Sequence, residues 1–210
     1  MEKVKEFIYK NFKYIILALC LILLLVIMYN VALNRNLNID SLFYNLISNI
    51  KSESVTNIML YITYLGSAYV IVVIIIILLI IVKNKKLKYI LVINTVVNLL
   101  LNQILKRIFL RQRPLSINII EESGYSFPSG HSMVSMAFYG LLIYIINQEI
   151  RNKKIRILLT IVLLILILLI GFSRIYLGVH YTSDVIGGFI ISMINLFLVE
   201  QFILNKKSHL

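Results

Sequence analysis

Six long apolar stretches constrain the fold of this chain more than any other feature of its sequence. In chain order they cover residues 14–29, 57–82, 87–105, 132–147, 155–172 and 181–204. Each is long enough, or nearly so, to cross a hydrocarbon layer about 30 Å thick as an α-helix, whereas barrel strands would be about ten residues of alternating polarity. No repeat or Pro/Gly-rich linker divides the 210 residues. The sequence therefore predicts an all-α, polytopic membrane protein, with residues 1–210 as a single domain built on a six-transmembrane-helix bundle.

The composition argues against the common soluble classes. Hydrophobic residues make up 60% of the chain and charged residues 14%, whereas soluble domains average about 45–50% and about 25%. A soluble enzyme, a disordered tail and a collagen-like fibre are all disfavoured. The single cysteine, Cys20, lies in the first apolar stretch and cannot form an internal disulfide.

The first stretch has two interpretations. Four lysines precede it, and basic residues before an apolar run also occur in secretory signal peptides. Residues 30–33, which follow the stretch, are a poor cleavage site, and five more apolar stretches come after them. We therefore expect a retained first helix.

Lysine and arginine are distributed unevenly among the connections. Groups of four precede the first stretch, separate the second from the third and separate the fourth from the fifth, and two more follow the sixth. Six spans place all of these on one side, which the positive-inside rule assigns to the cytoplasm together with both termini. Membrane topology thus accounts for most of the +12 formal charge, and no nucleic-acid partner is expected.

Three polar segments fall on the opposite, outer side. In chain order they are Lys106-x6-Arg113-Pro114, Pro128-Ser129-Gly130-His131 and Ser173-Arg174-x5-His180-x3-Asp184. Two arginine forks and a lysine can surround a tetrahedral oxyanion, and a Ser-Gly turn before a helix start offers unpaired N–H groups to an anion. The predicted phosphate-binding residues are Lys106, Arg113, Ser129, Gly130 and Arg174.

Two histidines and one carboxylate complete this chemistry. His180 and Asp184 are four residues apart, so they share a helix face if the first turn of the sixth helix includes both. The carboxylate would accept a proton from one imidazole nitrogen and leave the other as a lone pair aimed at phosphorus. His131 is a separately placed imidazole suited to protonating the leaving oxygen.

With every position of these segments filled, the chain resembles the type 2 phosphatidic acid phosphatase superfamily of lipid phosphatases, in its bacterial membrane-integral branch. That family's signature is K-x6-R-P, P-S-G-H and S-R-x5-H-x3-D, and the motifs cover residues 106–184. The resemblance implies that His180 is a nucleophile that forms a phosphohistidine, that Asp184 orients it and that His131 is the general acid. It also implies that no metal cofactor is needed.

The positions of the acidic residues in the sequence also argue against a metal cofactor. Asp184 is the only acid within the three segments. Glu121 and Glu122 are interpreted as a solvated loop pair, because a hard-cation site needs several converging oxygens.

The expected activity is hydrolysis of a phosphomonoester or diphosphate on an amphipathic lipid, at the outer face of a bacterial plasma membrane. Phosphatidylglycerol phosphate, phosphatidic acid and undecaprenyl diphosphate all fit this description. A lipid phosphotransferase using the same site is the alternative. A non-enzymatic anion transporter fits less well, since it has no need for two histidines and an acid at these spacings.

The remaining polar residues lead to expectations about packing. Asn94, Asn98 and Asn102 recur every four residues, as do small or polar residues from Asp184 to Ser192, so these faces should turn toward other helices. We expect the third, fourth and sixth helices to form an inner bundle beneath the site. The fifth stretch has few polar residues and is expected to face lipid.

Other residues outside the motifs have simpler interpretations. Arg107 and Arg111 are expected to anchor lipid headgroups, the usual role of interfacial cations. Tyr125 and Phe127 would either line an entrance to the site or belong to an interfacial aromatic belt. Periodic apolar positions within residues 30–56 predict an amphipathic helix at the membrane surface.

Overall fold

Eight α-helices form the described part of the chain. The computed structural model describes residues 2–114 and 119–201, with side chains from residue 11 onward, and these residues contain no β-strand. The helices are α1 (Glu2–Ala32), α2 (Asn38–Ile50), α3 (Glu53–Leu65), α4 (Ala68–Ile81), α5 (Lys85–Phe109), α6 (Gly130–Glu149), α7 (Lys153–Tyr176) and α8 (Thr182–Val199). The predicted all-α class is confirmed.

Five of these helices are long and apolar enough to cross a membrane, namely α1, α5, α6, α7 and α8. The short helices α3 and α4 meet at a 47° bend and give a sixth span if they are counted together. The predicted number of spans is therefore reached only with a broken second span. The expectation of one uninterrupted helix over residues 57–82 was wrong, and residues 202–204 of the predicted sixth span lie outside the described residues.

The break between α3 and α4 has a local cause and a packing cause. Gly66 ends α3, and Ser67 caps α4 by accepting a hydrogen bond from the Val70 N–H. A β-carbon at Gly66 would collide with the Ile170 side chain of α7 and would come within 3.5 Å of the His131 ring. Glycine therefore permits a close approach of the bend to α6 and α7, next to a predicted catalytic histidine.

The asparagine stripe of α5 faces other helices, as expected. Asn94 donates to the Ala137 carbonyl of α6 at 2.8 Å, and the Asn98 side-chain oxygen accepts from Ser192 of α8 at 2.7 Å. Asn102 donates to the Pro128 carbonyl at 2.9 Å. All three asparagines are buried. Helices α5, α6 and α8 thus pack together through polar contacts in an otherwise apolar interior, which confirms the predicted inner bundle.

Helix α7 only partly meets the expectation that it faces lipid. Leu158, Ile161 and Leu168 are exposed on its outer side. Its C-terminal half is buried among α3, α6 and α8, and Gly171 lies against the Phe189 ring of α8. The apolar sequence of α7 conceals this difference between its two ends, because leucine and isoleucine suit both lipid and protein surroundings.

Helix α2 confirms the helix predicted within residues 30–56. Its buried Ile47 packs in a cluster with Tyr176, Leu177 and Val179 at the end of α7. Asp40, in its first turn, is also buried. Helix α2 therefore lies over the connection from α7 to α8, while its position relative to a membrane surface stays a prediction.

The role of the α5 stripe can be tested with Asn98→Leu. This change leaves the Ser192 hydroxyl without its side-chain acceptor. We therefore expect the free energy of unfolding to fall by about 1 kcal/mol and Tm to fall by about 2–4 °C. The KM for a lipid phosphate should not change, because the side chain lies between helices. Thermal denaturation in detergent measures the first effect, and Val96→Leu, on the exposed face of α5, is the control. A raised KM at unchanged Tm would contradict a packing role.

Candidate active site

A tight turn at the C terminus of α5 places its cations at one end of the helix bundle. Lys106 lies in the last helical turn, and Leu110 ends the helix in the left-handed conformation with φ 50°. The Leu110 N–H donates to the Lys106 carbonyl, which closes the helix end. The Lys106 ammonium donates to the Tyr125 carbonyl at 2.7 Å. The α5 end is thereby tied to the chain that enters α6.

The Pro128-Ser129-Gly130-His131 segment forms the start of α6. Ser129 caps the helix, and its hydroxyl oxygen accepts from the Ser132 hydroxyl at 2.9 Å. The Ser129 N–H donates to the Asp184 carbonyl at 3.1 Å. A β-carbon at Gly130 would lie only 3.2 Å from the Asn102 side-chain oxygen. Close packing of this turn on α5 and α8 therefore directs the first turn of α6, with its partly positive N terminus, toward the site.

His180 and Asp184 meet, but not on a shared helix face. Helix α8 begins at Thr182, so His180 precedes it, and the condition for a shared helix face, that the first turn includes both residues, is not met. Asp184 lies in the first turn and accepts a hydrogen bond from the Tyr181 N–H at 2.9 Å. This bond closes the helix start and brings the Asp184 Oδ2 atom to 3.5 Å from His180 Nδ1.

The surroundings of His180 determine which ring nitrogen carries the proton. Its Nε2 atom lies 3.2 Å from an Arg113 guanidinium nitrogen. A guanidinium can only donate, so Nε2 must be the acceptor and Nδ1 must carry the hydrogen, toward Asp184. Nε2 therefore presents a lone pair on the side where the cation lies.

Burial keeps this imidazole neutral. Desolvation lowers the pKa of His180 to about 3, although its hydrogen bond and charge interaction with Asp184 act in the opposite direction. At neutral pH the ring is uncharged, which is the form that a nucleophilic histidine requires.

Arg113 is held by backbone carbonyls on two sides. It donates to the carbonyls of Ser123 at 3.0 Å, Gly124 at 2.9 Å and Val179 at 2.8 Å. Burial lowers the pKa of Arg113 from its ordinary value, and the charge of Asp184 opposes that shift. The three carbonyl contacts fix the guanidinium between the loop before α6 and the connection before α8.

Arg174, the third cation predicted to bind phosphate, is buried near the end of α7. It donates to the Thr63 hydroxyl of α3 at 2.7 Å and forms an ion pair with Glu122. The Glu122 carboxylate also lies 3.8 Å from Arg113. The interpretation of Glu122 as part of a solvated loop pair was therefore wrong, since it occupies the space between two cations predicted to bind phosphate; Glu121 is exposed, as expected.

His131 lies at the same end of the bundle, in the first turn of α6. It directly follows the Ser129-Gly130 turn, which packs on Asn102 of α5 and donates a hydrogen bond to the Asp184 carbonyl. The three polar segments, far apart along the chain, therefore converge on one region. Within the described residues, no cluster of three or more His, Cys, Asp or Glu side chains is suited to a metal ion.

Two residues near the site differ from their sequence-based interpretations. Arg111, expected to anchor headgroups, is buried and donates to Asp184 Oδ1 at 2.6 Å. Phe127, expected at an entrance or in an aromatic belt, is fully buried against the Phe109 ring, so neither alternative holds for it. Arg107, by contrast, is exposed.

Sequence reasoning missed two further contacts of the site. Ser126 donates its hydroxyl hydrogen to Asp184 Oδ2. Asp40 of α2 accepts a hydrogen bond from the Ser183 N–H at 2.8 Å. Ser126 carries no distinguishing pattern, but an acid in a membrane chain with nine acidic residues is itself a signal, because such residues tend to be paired and functional.

Comparison with known proteins identifies a family model and several relatives that match this chain. The family model of the PAP2 superfamily matches residues 85–208. The chain is 38% identical over 107 residues to phosphatidylglycerophosphatase B of Bacillus subtilis, in a match that covers 49% of this chain and 51% of that protein. This chain thus spans about half the length of that relative. It is 25% identical over 204 residues to an undecaprenyl-diphosphatase of Sulfolobus acidocaldarius, with 91% and 92% covered.

Two solved structures have a similar fold. A PAP2-type phosphatidylglycerolphosphate phosphatase from Bacillus subtilis superimposes with a TM-score of 0.78 at 28% identity, covering 89% of this chain and 97% of that chain. Aquifex aeolicus LpxE gives a TM-score of 0.64 at 27% identity, with 77% and 94% covered. Since the family model matches more than half of the sequence and the helical fold is shared, this chain belongs to the PAP2 superfamily.

Proposed function

We propose that this chain is a membrane-integral lipid phosphatase that hydrolyses a phosphomonoester or diphosphate through a phosphohistidine at His180. The single observation that supports this most is the position of the His180 ring. Its Nδ1 faces Asp184 Oδ2 at 3.5 Å and its Nε2 faces Arg113 at 3.2 Å. A neutral, oriented imidazole whose lone pair lies beside a phosphate-binding cation has the arrangement that nucleophilic attack on phosphorus needs.

The proposed reaction has two steps. In the first, the Arg113 N–H moves its hydrogen bond from His180 Nε2 to a phosphate oxygen, and the freed Nε2 lone pair attacks phosphorus. The P–O bond to the lipid breaks, and protonated His131 gives its proton to the leaving oxygen. In the second, His131 accepts a proton from water as the water oxygen attacks phosphorus, and the P–N bond breaks to release phosphate. Lys106, Arg113 and Arg174 disperse the charge on the transferring group, which is commonly the largest part of such catalysis.

The proposed substrate is a phosphate or diphosphate attached to a lipid. Two of the relatives are, by name, a phosphatidylglycerophosphatase and an undecaprenyl-diphosphatase, and both of these substrates carry an anionic group on a long apolar tail. The site lies at one end of a bundle whose outer surface is apolar. A headgroup can therefore reach the cations while its tail stays in the membrane.

We place this site at the outer face of a bacterial plasma membrane. Support comes from the distribution of cations, since the connection between α4 and α5 and the connection between α6 and α7 are both basic and lie at the end of the bundle away from the site. The positive-inside rule puts those connections in the cytoplasm.

The nucleophile can be tested by trapping the phosphorylated protein. Wild-type protein is quenched in base during turnover of a ³²P-labelled lipid phosphate, and we expect it to carry an acid-labile, base-stable phosphate. The His180→Ala variant should carry no phosphate and should release none. With p-nitrophenyl phosphate, whose leaving group departs without a proton, His131→Ala should still become phosphorylated and should accumulate the intermediate. Normal phosphate release by folded His180→Ala would contradict the assignment.

The orientation can be tested because the chain has a single cysteine. In a Cys20→Ser background, we expect Glu121→Cys to react with a membrane-impermeant maleimide in intact cells, since the site loop would face outward. Lys86→Cys, exposed in the first turn of α5, should react only after permeabilisation. The reverse pattern of labelling would contradict an outward-facing site.

The Glu122 carboxylate should compete with substrate for the two arginines. Glu122→Gln removes the negative charge but keeps the shape of the side chain, so we expect the KM and the inhibition constant for inorganic phosphate to fall by about three- to tenfold. Steady-state kinetics in detergent micelles measures both, and the exposed Glu121→Gln is the matched control. Unchanged constants in the folded variant would show that the carboxylate does not compete.

A further inference from the structure

A chain of buried charges extends from Asp184 through Arg111 to Asp40. Arg111 donates to Asp184 Oδ1 at 2.6 Å and to Asp40 Oδ2 at 3.1 Å. It also donates to the Ser183 hydroxyl at 2.8 Å, and its guanidinium lies 4.0 Å from the centre of the Tyr181 ring. Arg111 is 5% exposed and Asp40 is 6% exposed. A buried cation with two carboxylates and a stacked ring is fixed in one orientation.

The two oxygens of the Asp184 carboxylate have different hydrogen-bond partners. Arg111 engages Oδ1, whereas Oδ2 receives Ser126, the Tyr181 N–H and the Nδ1 side of His180. An aspartate carboxylate otherwise rotates easily about its last torsion angle. With Oδ1 held by a charge-assisted hydrogen bond, Oδ2 stays directed at the imidazole.

Asp40 holds Arg111 in place from α2. Its Oδ1 accepts from the Ser183 N–H at 2.8 Å, and its Oδ2 accepts from the Ser183 hydroxyl at 2.9 Å as well as from Arg111. Asp40 thus binds the first turn of α8 directly and through the guanidinium. Since α2 lies outside all three motif segments, it adds an element to the site that the motifs do not contain.

The formal charges of Asp184, Asp40 and Arg111 also suit the reaction. Two carboxylates and one guanidinium leave one net negative charge behind His180. When Nε2 of His180 bonds to phosphorus, positive charge develops on the ring, and a negative group on its Nδ1 side stabilises that charge. The Arg111 guanidinium also provides the charged partner that the buried Asp184 carboxylate needs.

We propose that Arg111 and Asp40 are positioning residues of the reaction, which hold Asp184 so that it orients His180 for attack. This inference rests on the proposed function. It assigns to α2 a part in catalysis without contact with substrate, and it distinguishes Arg111 from the neighbouring Arg107, which is exposed in the last turn of α5.

The first test compares Arg111→Ala with Arg107→Ala. We expect Arg111→Ala to lower kcat about 100-fold, the loss typical of a displaced catalytic group, with KM and the inhibition constant of inorganic phosphate within about threefold of wild type. Arg111→Lys keeps one charged donor for Asp184 and should recover about tenfold of that loss. Arg107→Ala should behave as wild type. The assay is phosphate release from phosphatidylglycerol phosphate in detergent micelles, with circular dichroism melting as the check on folding.

A second variant keeps the test informative if Arg111→Ala does not fold. Asp40→Asn preserves shape and one acceptor oxygen, and we expect it to lower kcat roughly tenfold at unchanged KM. In the Arg111→Lys background the same change should have a smaller effect, because Asp40 acts through the guanidinium. Folded Asp40→Asn and Arg111→Lys proteins with wild-type kcat, or a loss confined to KM, would overturn the inference.

The His180→Ala variant distinguishes this failure from a failure of the proposed function. If His180→Ala is inactive while the Arg111 and Asp40 variants turn over normally, only the positioning role fails. If His180→Ala retains wild-type turnover, His180 is not the nucleophile. Arg111 and Asp40 then have no catalytic imidazole to orient.

Discussion

The buried carboxylate of Asp184 is the interaction on which the site depends. It receives hydrogen bonds from Arg111 after α5, from Ser126 before α6 and from the Tyr181 N–H before α8, and it faces His180. A carboxylate with no exposed surface is stable only when its oxygens are paired. Two connections that are distant in sequence, the one from α5 to α6 and the one from α7 to α8, are therefore held together by the need to satisfy a single charge.

The same constraint explains how an apolar bundle holds so many cations at one end. Lys106 and Arg113 bind backbone carbonyls, Arg111 binds two carboxylates, and Arg174 binds Thr63 and Glu122. Each partner reduces the cost of burying a cation. Among the described residues, Glu122 is the carboxylate that pairs with two of the cations predicted to bind phosphate, Arg174 and Arg113.

Sequence reasoning succeeded where the signal is local and failed where it depends on a distant partner. The inner bundle followed from Asn94, Asn98 and Asn102, because a four-residue period defines a helix face by itself. The bend at Gly66 was missed, since apolar residues on both sides conceal it and the reason for it is Ile170 of α7. Arg107 and Arg111 were given one interpretation because they have the same chemistry, and only the left-handed turn at Leu110 separates the exposed residue from the buried one.

The sequence by itself determined the class of the protein, its apolar helices and the spacing of the three motif segments, because hydropathy and motif spacing are properties of neighbouring residues. Only the tertiary structure decided that Arg111 binds Asp184, that Glu122 lies between two arginines and that Asp40 contacts a residue 143 positions away. These are pairings between charges or hydrogen-bonding groups on different elements. Their geometry exists only after the helices have packed, since no local pattern records which buried charge will satisfy which partner.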